Sequence, residues 1–331
     1  MSTKLPLTLA CENYDRTRAL QTGDVAVEGV SLTYLTLPVE ETFFRMVSNQ
    51  EFDVSELSLS TYVMTLRSDP SPFVAIPVFP SRAFRHSGIY VNVAAGIREP
   101  EDLRGRKVGV PEYQVTAAVW IRGILAEHHH VPVDSVHYKT GGLHAPGRVE
   151  KVAFPSPEGV DISPIAQGRT LADMLVTGEI DALYSPRTPQ PFTDRRPEVA
   201  RLFQDSGAVE RAYFTQSRIF PIMHVVAVRR AVYDAHPWVA RSLQKAFERS
   251  RAMAMTGMDE TASLRYMLPW LHDEVARTRA VMGEDYWSYG LEDNEATLRT
   301  FLGYAYEQGL ADRLWDPADL FAPECREAFI I

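Results

Sequence analysis

The sequence predicts an α/β protein of two lobes, with an inter-lobe cleft and a helical C-terminal third. Three observations carry this. Short apolar runs with period-two alternation recur between amphipathic segments, which implies largely parallel sheets covered by helices. The strand–helix pattern breaks near residues 93–100 and starts a second series that runs to about residue 220. Beyond it the chain turns helical, and those helices need a sheet to pack on. A chain of 331 residues has room for two domains of ordinary size. The economical arrangement is a discontinuous first lobe, residues 1–92 and 224–331, around a second lobe of residues 93–223.

Residues 5–10 alternate as a first strand, and the polar stretch 11–20, holding Arg16 and Arg18, leads into a short helix. Such strand–loop–helix junctions are where α/β folds contact ligands. Residues 27–37 hold a second strand, and 40–49, with Phe43, Phe44, Met46 and Val47, an amphipathic helix. A third strand, 52–60, ends in small polar residues that include Ser58 and Ser60, and a helix over 61–67 is capped by Ser60 or Thr61. Residues 73–77 and 89–93 are strands flanking a loop, because two prolines and a glycine exclude a helix between them.

Residues 99–111 read as a helical turn and a strand, and 116–127 as a helix with Trp120 in its apolar side. A strand over 133–139 and a long Gly-, Pro- and His-containing loop over 141–164 come next. A helix over 171–177, a strand over 179–184 and the loop 185–189, with Arg187, complete the second series. An apolar strand spans 220–228 and holds His224. The clearest helix is 237–254, followed by helices over 260–266, 270–282, 294–308 and 317–321. No internal repeat or low-complexity tract occurs.

The net charge of -9 argues against non-specific nucleic-acid binding, which needs a basic face. No apolar run approaches the ~18 to 20 residues of a membrane helix, and no signal peptide is evident, so a cytoplasmic protein without membrane contact is expected. The two cysteines, Cys11 and Cys325, show no metal spacing and read as buried or free thiols. His128, His129 and His130 are consecutive on a helix, so they point about 100° apart and read as a solvated helix end. His144 sits in a flexible loop.

Within this acidic chain the loop 77–88 concentrates Arg82, Arg85, His86 and two serines. Arginine forks match carboxylate or phosphate, since two parallel N–H donors meet two oxygens. The loop is therefore expected to bind a small anion.

The stretches Asp53-Val54-Ser55-Glu56, Glu101-Asp102-Leu103-Arg104-Gly105-Arg106-Lys107-Val108-Gly109-Val110 and Gly178-Glu179-Ile180-Asp181-Ala182, in this order, resemble the type II periplasmic-binding-protein fold. The loop 77–87, with Pro111-Glu112-Tyr113-Gln114-Val115-Thr116-Ala117 and Trp120-Ile121-Arg122-Gly123-Ile124-Leu125, is more specific. It is similar to the 4,5-dihydroxyphthalate decarboxylase family, and the similarity covers nearly the whole chain. The resemblance implies loss of one carboxylate from 4,5-dihydroxyphthalate, giving 3,4-dihydroxybenzoate and carbon dioxide, with no organic cofactor.

That small aromatic dicarboxylate sets three tasks. The retained carboxylate must be clamped, for which Arg82 and Arg85 lead, with Arg16, Arg18 and Arg187 next. A proton must reach ring carbon, and histidine titrates near working pH; His86 and His224 are the candidates. The phenols must be oriented and deprotonated, for which Glu112, Tyr113, Ser58, Ser60 and Thr116 stand at expected strand ends or helix starts. A divalent metal held by the catechol, His86, His224 and a carboxylate is the alternative to cofactor-free chemistry, though no ligand spacing compels it. The rival function is a cytoplasmic or exported binding protein for an aromatic carboxylate, without turnover. A pyrimidine-synthase-like enzyme would want a cysteine-rich motif that two isolated cysteines do not supply. A homo-oligomer is expected, with Tyr286, Trp287, Tyr289, Tyr304, Tyr306 and Trp315 either at its interface or packed on the first lobe.

Overall fold

Two sheets organise residues 4–326, the part of the chain that the computed structural model describes. The first three residues of the stretch read for a signal peptide lie outside the described residues. Strands and helices are numbered in chain order.

Unit one comprises Met1–Arg82, Ile222–Leu298 and Trp315–Ile331. Its sheet has the order β2-β1-β3-β11-β4. β1 (Leu5–Ala10) runs parallel to β2 (Val30–Leu35) and β3 (Val54–Ser58). β11 (His224–Arg229) inserts antiparallel between β3 and β4 (Phe73–Ile76). Its helices are α1 (Arg18–Thr22), α2 (Val39–Asn49), α3 (Leu59–Thr65), α8 (Arg230–Ala235), α9 (Trp238–Met258) and α10 (Leu271–Met282). α2 turns Phe43 and Met46 inward, as its periodicity requires. α3 starts two residues earlier than expected, and Ser58 rather than Ser60 or Thr61 is its N-cap residue. The helix expected over 260–266 is absent; the segment is bends and irregular chain. Its one aliphatic side chain, Leu264, is exposed, so no buried stripe repays the cost of nucleating a short helix. Cys11 and Cys325 are both buried free thiols.

Unit two comprises Ala83–Pro221 and Arg299–Leu314. Its sheet has the order β10-β5-β9-β6-β7-β8. β6 (Lys107–Val110), β7 (His137–Thr140), β8 (Ile162–Pro164) and β9 (Ala182–Tyr184) are mutually parallel. β5 (Ile89–Asn92) is antiparallel to β9 and to β10 (Val199–Arg201). The helices are α4 (Thr116–His129), α5 (Leu171–Thr177), α6 (Gln190–Thr193) and α7 (Ser206–Ser217). β8, inside the expected loop 141–164, and α6, β10 and α7 escaped the sequence reading. β10 is three residues long, too short to show a period, and α7 buries only Ser206, Tyr213 and Phe214. The strand expected over 133–139 begins later, because Val133–Ser135 form a 3-10 turn after Pro132.

The expected lobe boundaries shift in two places. β5 joins the sheet of unit two through β9 and β10, so the division falls at Arg82 rather than after residue 92. Residues 299–314 also belong to unit two rather than to the first lobe, although helix α11 (Glu295–Glu307) begins in unit one. The reason is α4. Its buried Trp120 packs on Phe301 and Tyr304 with ring centroids 5.4 and 5.7 Å apart, and Arg122 Nε donates to Gln308 Oε1 at 2.8 Å.

Gly123 marks the closest approach in this packing. A Cβ there would lie 2.1 Å from Cδ2 of Tyr304. That ring cannot swing freely, because its hydroxyl donates to Glu127 and its face meets Trp120 edge-on. Gly123→Ala is expected to cost roughly 1–3 kcal/mol by overpacking. An unchanged denaturant midpoint would count against this account of α4.

Candidate functional site

Register and pleat build one cluster in unit one. His224 faces Ser58 across the β3–β11 ladder, and Val226 faces Glu56. Residues two apart on a strand share a face, so Glu56, Ser58 and His224 lie on the same side, with Glu56 diagonal to His224. β1, β3 and β4 point the same way, so the loops after them leave from one edge of the sheet. In open α/β sheets that carboxyl edge is where ligands bind.

Glu56 is wholly buried and collects donors. Its Oε1 accepts from His224 Nδ1 at 2.6 Å and from Tyr14 Oη at 2.7 Å. Its Oε2 accepts from the Glu12 N–H at 3.1 Å and from Cys11 Sγ at 3.5 Å. Burial works to raise the Glu56 pKa, yet the charge and hydrogen bond of His224, then Tyr14 and Glu12, hold it below the ordinary carboxylate range. Burial foremost, and the adjoining Glu56, push the Cys11 thiol and the Tyr14 phenol up, so both stay protonated donors. His224 keeps 16% of its side chain exposed, while the Phe43 ring meets it edge-on at 4.9 Å. A buried carboxylate thus fixes one ring nitrogen of a histidine that still reaches solvent, an arrangement suited to delivering a proton.

Arg16 lies beside this pair. Its guanidinium is sandwiched between the rings of Tyr14 and Trp287, each at 4.2 Å. Its Nε donates to the Pro80 carbonyl at 2.5 Å, and Nη1 pairs with Asp15 at 2.9 Å. Tyr14 therefore bridges the two groups, stacking on Arg16 while donating to Glu56.

Arg82 has a different occupation from the expected clamp. It is buried, and its Nη2 donates to the Ser288 carbonyl at 2.7 Å and to Asn294 Oδ1. Burial pulls its pKa down. It ties residues 77–82 to the segment around 287–290. Arg18 is exposed on α1, outside the cluster. Ser58 and Ser60 are both buried, Ser60 within α3.

In unit two, the expected residues fall into separate surroundings. His86 is buried against Tyr213 and Phe203, with ring centroids at 5.1 and 5.6 Å. Burial, helped by His129 and His128, lowers its pKa to about 4, so it is uncharged near neutrality and a poor proton reservoir there. Burial also pulls Arg85 down, opposed by Glu210, whose Oε1 accepts from the Ser87 N–H at 3.0 Å. Glu112 is buried and neutralised. Arg148 Nη2 pairs with it at 2.6 Å and Lys151 Nζ at 2.5 Å. Tyr113 and Thr116 are buried at the start of α4, and Arg122 lies 3.8 Å over the Tyr113 ring. Arg187 is exposed on the loop after β9.

Glu56, Tyr14, Trp287 and Arg122 are not among the candidate site residues that the sequence suggests. A signal for Glu56 existed, since a carboxylate in a strand flanked by Val54 and Leu57 must find donors if it is buried. Nothing local marked the others. Among the described residues, no group of three or more His, Cys, Asp or Glu is placed to hold a metal ion, and no helix is long and apolar enough to cross a membrane.

The fold places the chain in a broad class. A periplasmic sulfonate-binding protein from Methylobacillus flagellatus superposes with a TM-score of 0.59 at 13% identity, covering 98% of this chain and 93% of that one. A Candida albicans protein described as having the generic periplasmic-binding-protein fold gives 0.53 at 9% identity, covering 99% and 98%. The chain thus has a periplasmic-binding-protein-like fold. No family model matches it. Relatives narrow the class. A 4,5-dihydroxyphthalate decarboxylase from Comamonas testosteroni is 41% identical over 328 residues, 99% of each chain. One from Pseudomonas putida is 42% identical over 211 residues, 63% of this chain and 82% of that one. The chain belongs to the 4,5-dihydroxyphthalate decarboxylase family.

Proposed function

We propose that this chain decarboxylates 4,5-dihydroxyphthalate to 3,4-dihydroxybenzoate, with His224 as proton donor to the ring and Arg16 as holder of the retained carboxylate. The observation that carries the residue roles is the 2.6 Å bond between His224 Nδ1 and the buried Glu56 carboxylate. The reaction itself rests on the kinship with the two decarboxylases.

Each carboxylate of the substrate lies para to a hydroxyl. Loss of that hydroxyl's proton to solvent lets the oxygen push electrons to the carbon bearing the departing carboxylate, and the oxygen takes a proton back from solvent once carbon dioxide has left. His224 transfers a proton to that carbon, leaving a dearomatised ring with a para carbonyl. The carbon–carbon bond then breaks, its electron pair restores the ring and returns charge to the para oxygen, and carbon dioxide departs. One proton is consumed per turnover, and solvent resupplies it to His224. Glu56 holds the ring of His224 through its Nδ1. Ser58, opposite His224 on the same face, is placed to meet the ring substituents. Glu112, neutralised by two cations, and His86, uncharged near neutrality, are left out of the proton transfer. Arg82 is left out of the carboxylate clamp and serves as a strut. No organic cofactor or metal enters these steps. The protein acts in phthalate degradation.

The test is anaerobic incubation with 4,5-dihydroxyphthalate, with and without chelator, following 3,4-dihydroxybenzoate. Tight binding without turnover would replace the enzyme by a receptor. Turnover lost on chelation and restored by a metal would replace the metal-free route. Arg16→Met is expected to raise KM about tenfold or more, since a charge-assisted hydrogen bond is worth roughly 1.5–3 kcal/mol. An unchanged KM would remove Arg16 from the clamp.

A further inference from the structure

A buried phenol beside this cluster has no part in the steps above. Tyr289 is 6% exposed, and its Oη has no hydrogen-bond partner among the described residues. A buried hydroxyl left unpaired is costly, so such a group in a native fold calls for an explanation. Its surroundings supply one. Arg16 and Cys11, which flank the Glu56–His224 pair, both act electrostatically on the phenol. On the other side Arg251 stands 5.5 Å over the ring, engaged with Glu248 and Asp285. Burial keeps the phenol protonated, so it is a donor.

The position of Tyr289 is set with care. Three bonds join residues 287–290 to the loop after β4. Trp287 Nε1 donates to the Phe79 carbonyl at 3.1 Å, Arg82 Nη2 donates to the Ser288 carbonyl at 2.7 Å, and the Gly290 N–H donates to the Pro77 carbonyl at 2.8 Å. Asn294 Nδ2 donates to the Gly290 carbonyl at 2.9 Å. These bonds hold the backbone on both sides of Tyr289 while its own hydroxyl makes none. The same segment stacks Trp287 on Arg16 at 4.2 Å.

We propose that Tyr289 is a substrate-contacting residue that donates its Oη hydrogen to a catechol oxygen of the bound ring, while Arg16 holds the carboxylate. The proposal rests on the reading of the site given above. In that chemistry the para oxygen regains negative charge as the carbon–carbon bond breaks, and a donor fixed beside it stabilises the transition state. It also reads the hydroxyls, separating a dihydroxy acid from one without them. Arg82 then acts as a positioning residue, through the segment that carries Tyr289.

The experiment compares wild type with Tyr289→Phe, which keeps the ring and its packing. The probes are turnover of 4,5-dihydroxyphthalate, the Kd of 3,4-dihydroxybenzoate, the Kd of phthalate, which has both carboxylates and no hydroxyl, and the melting temperature. The variant is expected to bind 3,4-dihydroxybenzoate about tenfold more weakly and phthalate within about twofold of wild type, with kcat/KM reduced about 10- to 100-fold. Equal weakening of both ligands, or of neither, would overturn the role of Tyr289 even if wild type turns over. A wild type that binds with the expected discrimination but does not turn over would sink the decarboxylase reading and keep the contact. A wild type that binds neither ligand would sink both.

Discussion

Replacing His224 by Gln is expected to lower kcat about 10²- to 10⁴-fold, the range for loss of a positioned general acid. The Gln amide can still donate to Glu56 Oε1, where His224 Nδ1 now stands at 2.6 Å, so the buried carboxylate keeps a partner and the fold survives. What is lost is the imidazole that serves as general acid. Binding of 3,4-dihydroxybenzoate and the melting temperature are therefore expected to stay close to wild type. A second readout separates chemistry from structure. By microscopic reversibility, with carbon dioxide supplied to re-form the carboxylated intermediate, the wild-type enzyme exchanges the product's ring hydrogen at the protonated carbon for deuterium in heavy water, and His224→Gln does not. Retained exchange in the variant would move the proton donor elsewhere.

How much of this was legible in the sequence depends on how far apart the interacting residues lie. β1, β3 and the loop after β4 were readable, because alternation and prolines are local signals. His224 was readable as a lone polar residue within an apolar strand. Its partner was not. Glu56 is 168 positions away, and the two meet only because β11 returns antiparallel between β3 and β4. A period of two states which face a side chain takes, not which strand lies beside it. The arginines of loop 77–88 show the same limit. Their charge was visible, but Arg82 spends it on Ser288 and Asn294, both more than 200 residues on, as their sequence separations of 206 and 212 state. Arg16, ranked second for the clamp, gains its place from Trp287, which nothing near Arg16 announces. Glu112 likewise stood out as a carboxylate after a proline, whereas its pairing with Arg148 and Lys151 depends on how the long loop 141–164 folds back.

Glu56→Gln is expected to damage both stability and turnover, with a pH signature that tells the two causes apart. The carboxylate accepts from His224, Tyr14, the Glu12 N–H and Cys11. An amide of the same shape has one acceptor oxygen and an NH2 group that donates. Tyr14 can rotate its hydroxyl to accept from that group, but the backbone N–H of Glu12 and the Nδ1–H of His224 cannot. At least one buried donor then goes unpaired, at about 1–3 kcal/mol. The charged form of His224 also loses its counterion, so kcat is expected to fall about 10²-fold or more. The native pKa of Glu56 lies below its ordinary value, which means the carboxylate's contribution is complete above the unfolded value of ~4.3 and drains away as pH falls through the lower, native value. The Gln variant has no such group to protonate. The gap in unfolding free energy between wild type and variant should therefore be widest near neutral pH and narrow as the solution is acidified below that range. Denaturant unfolding at neutral pH and at the acid limit of folding measures it directly. A gap that stays constant would mean that Glu56 is already protonated in the native protein, and the ion pair that orients His224 would have to be given up.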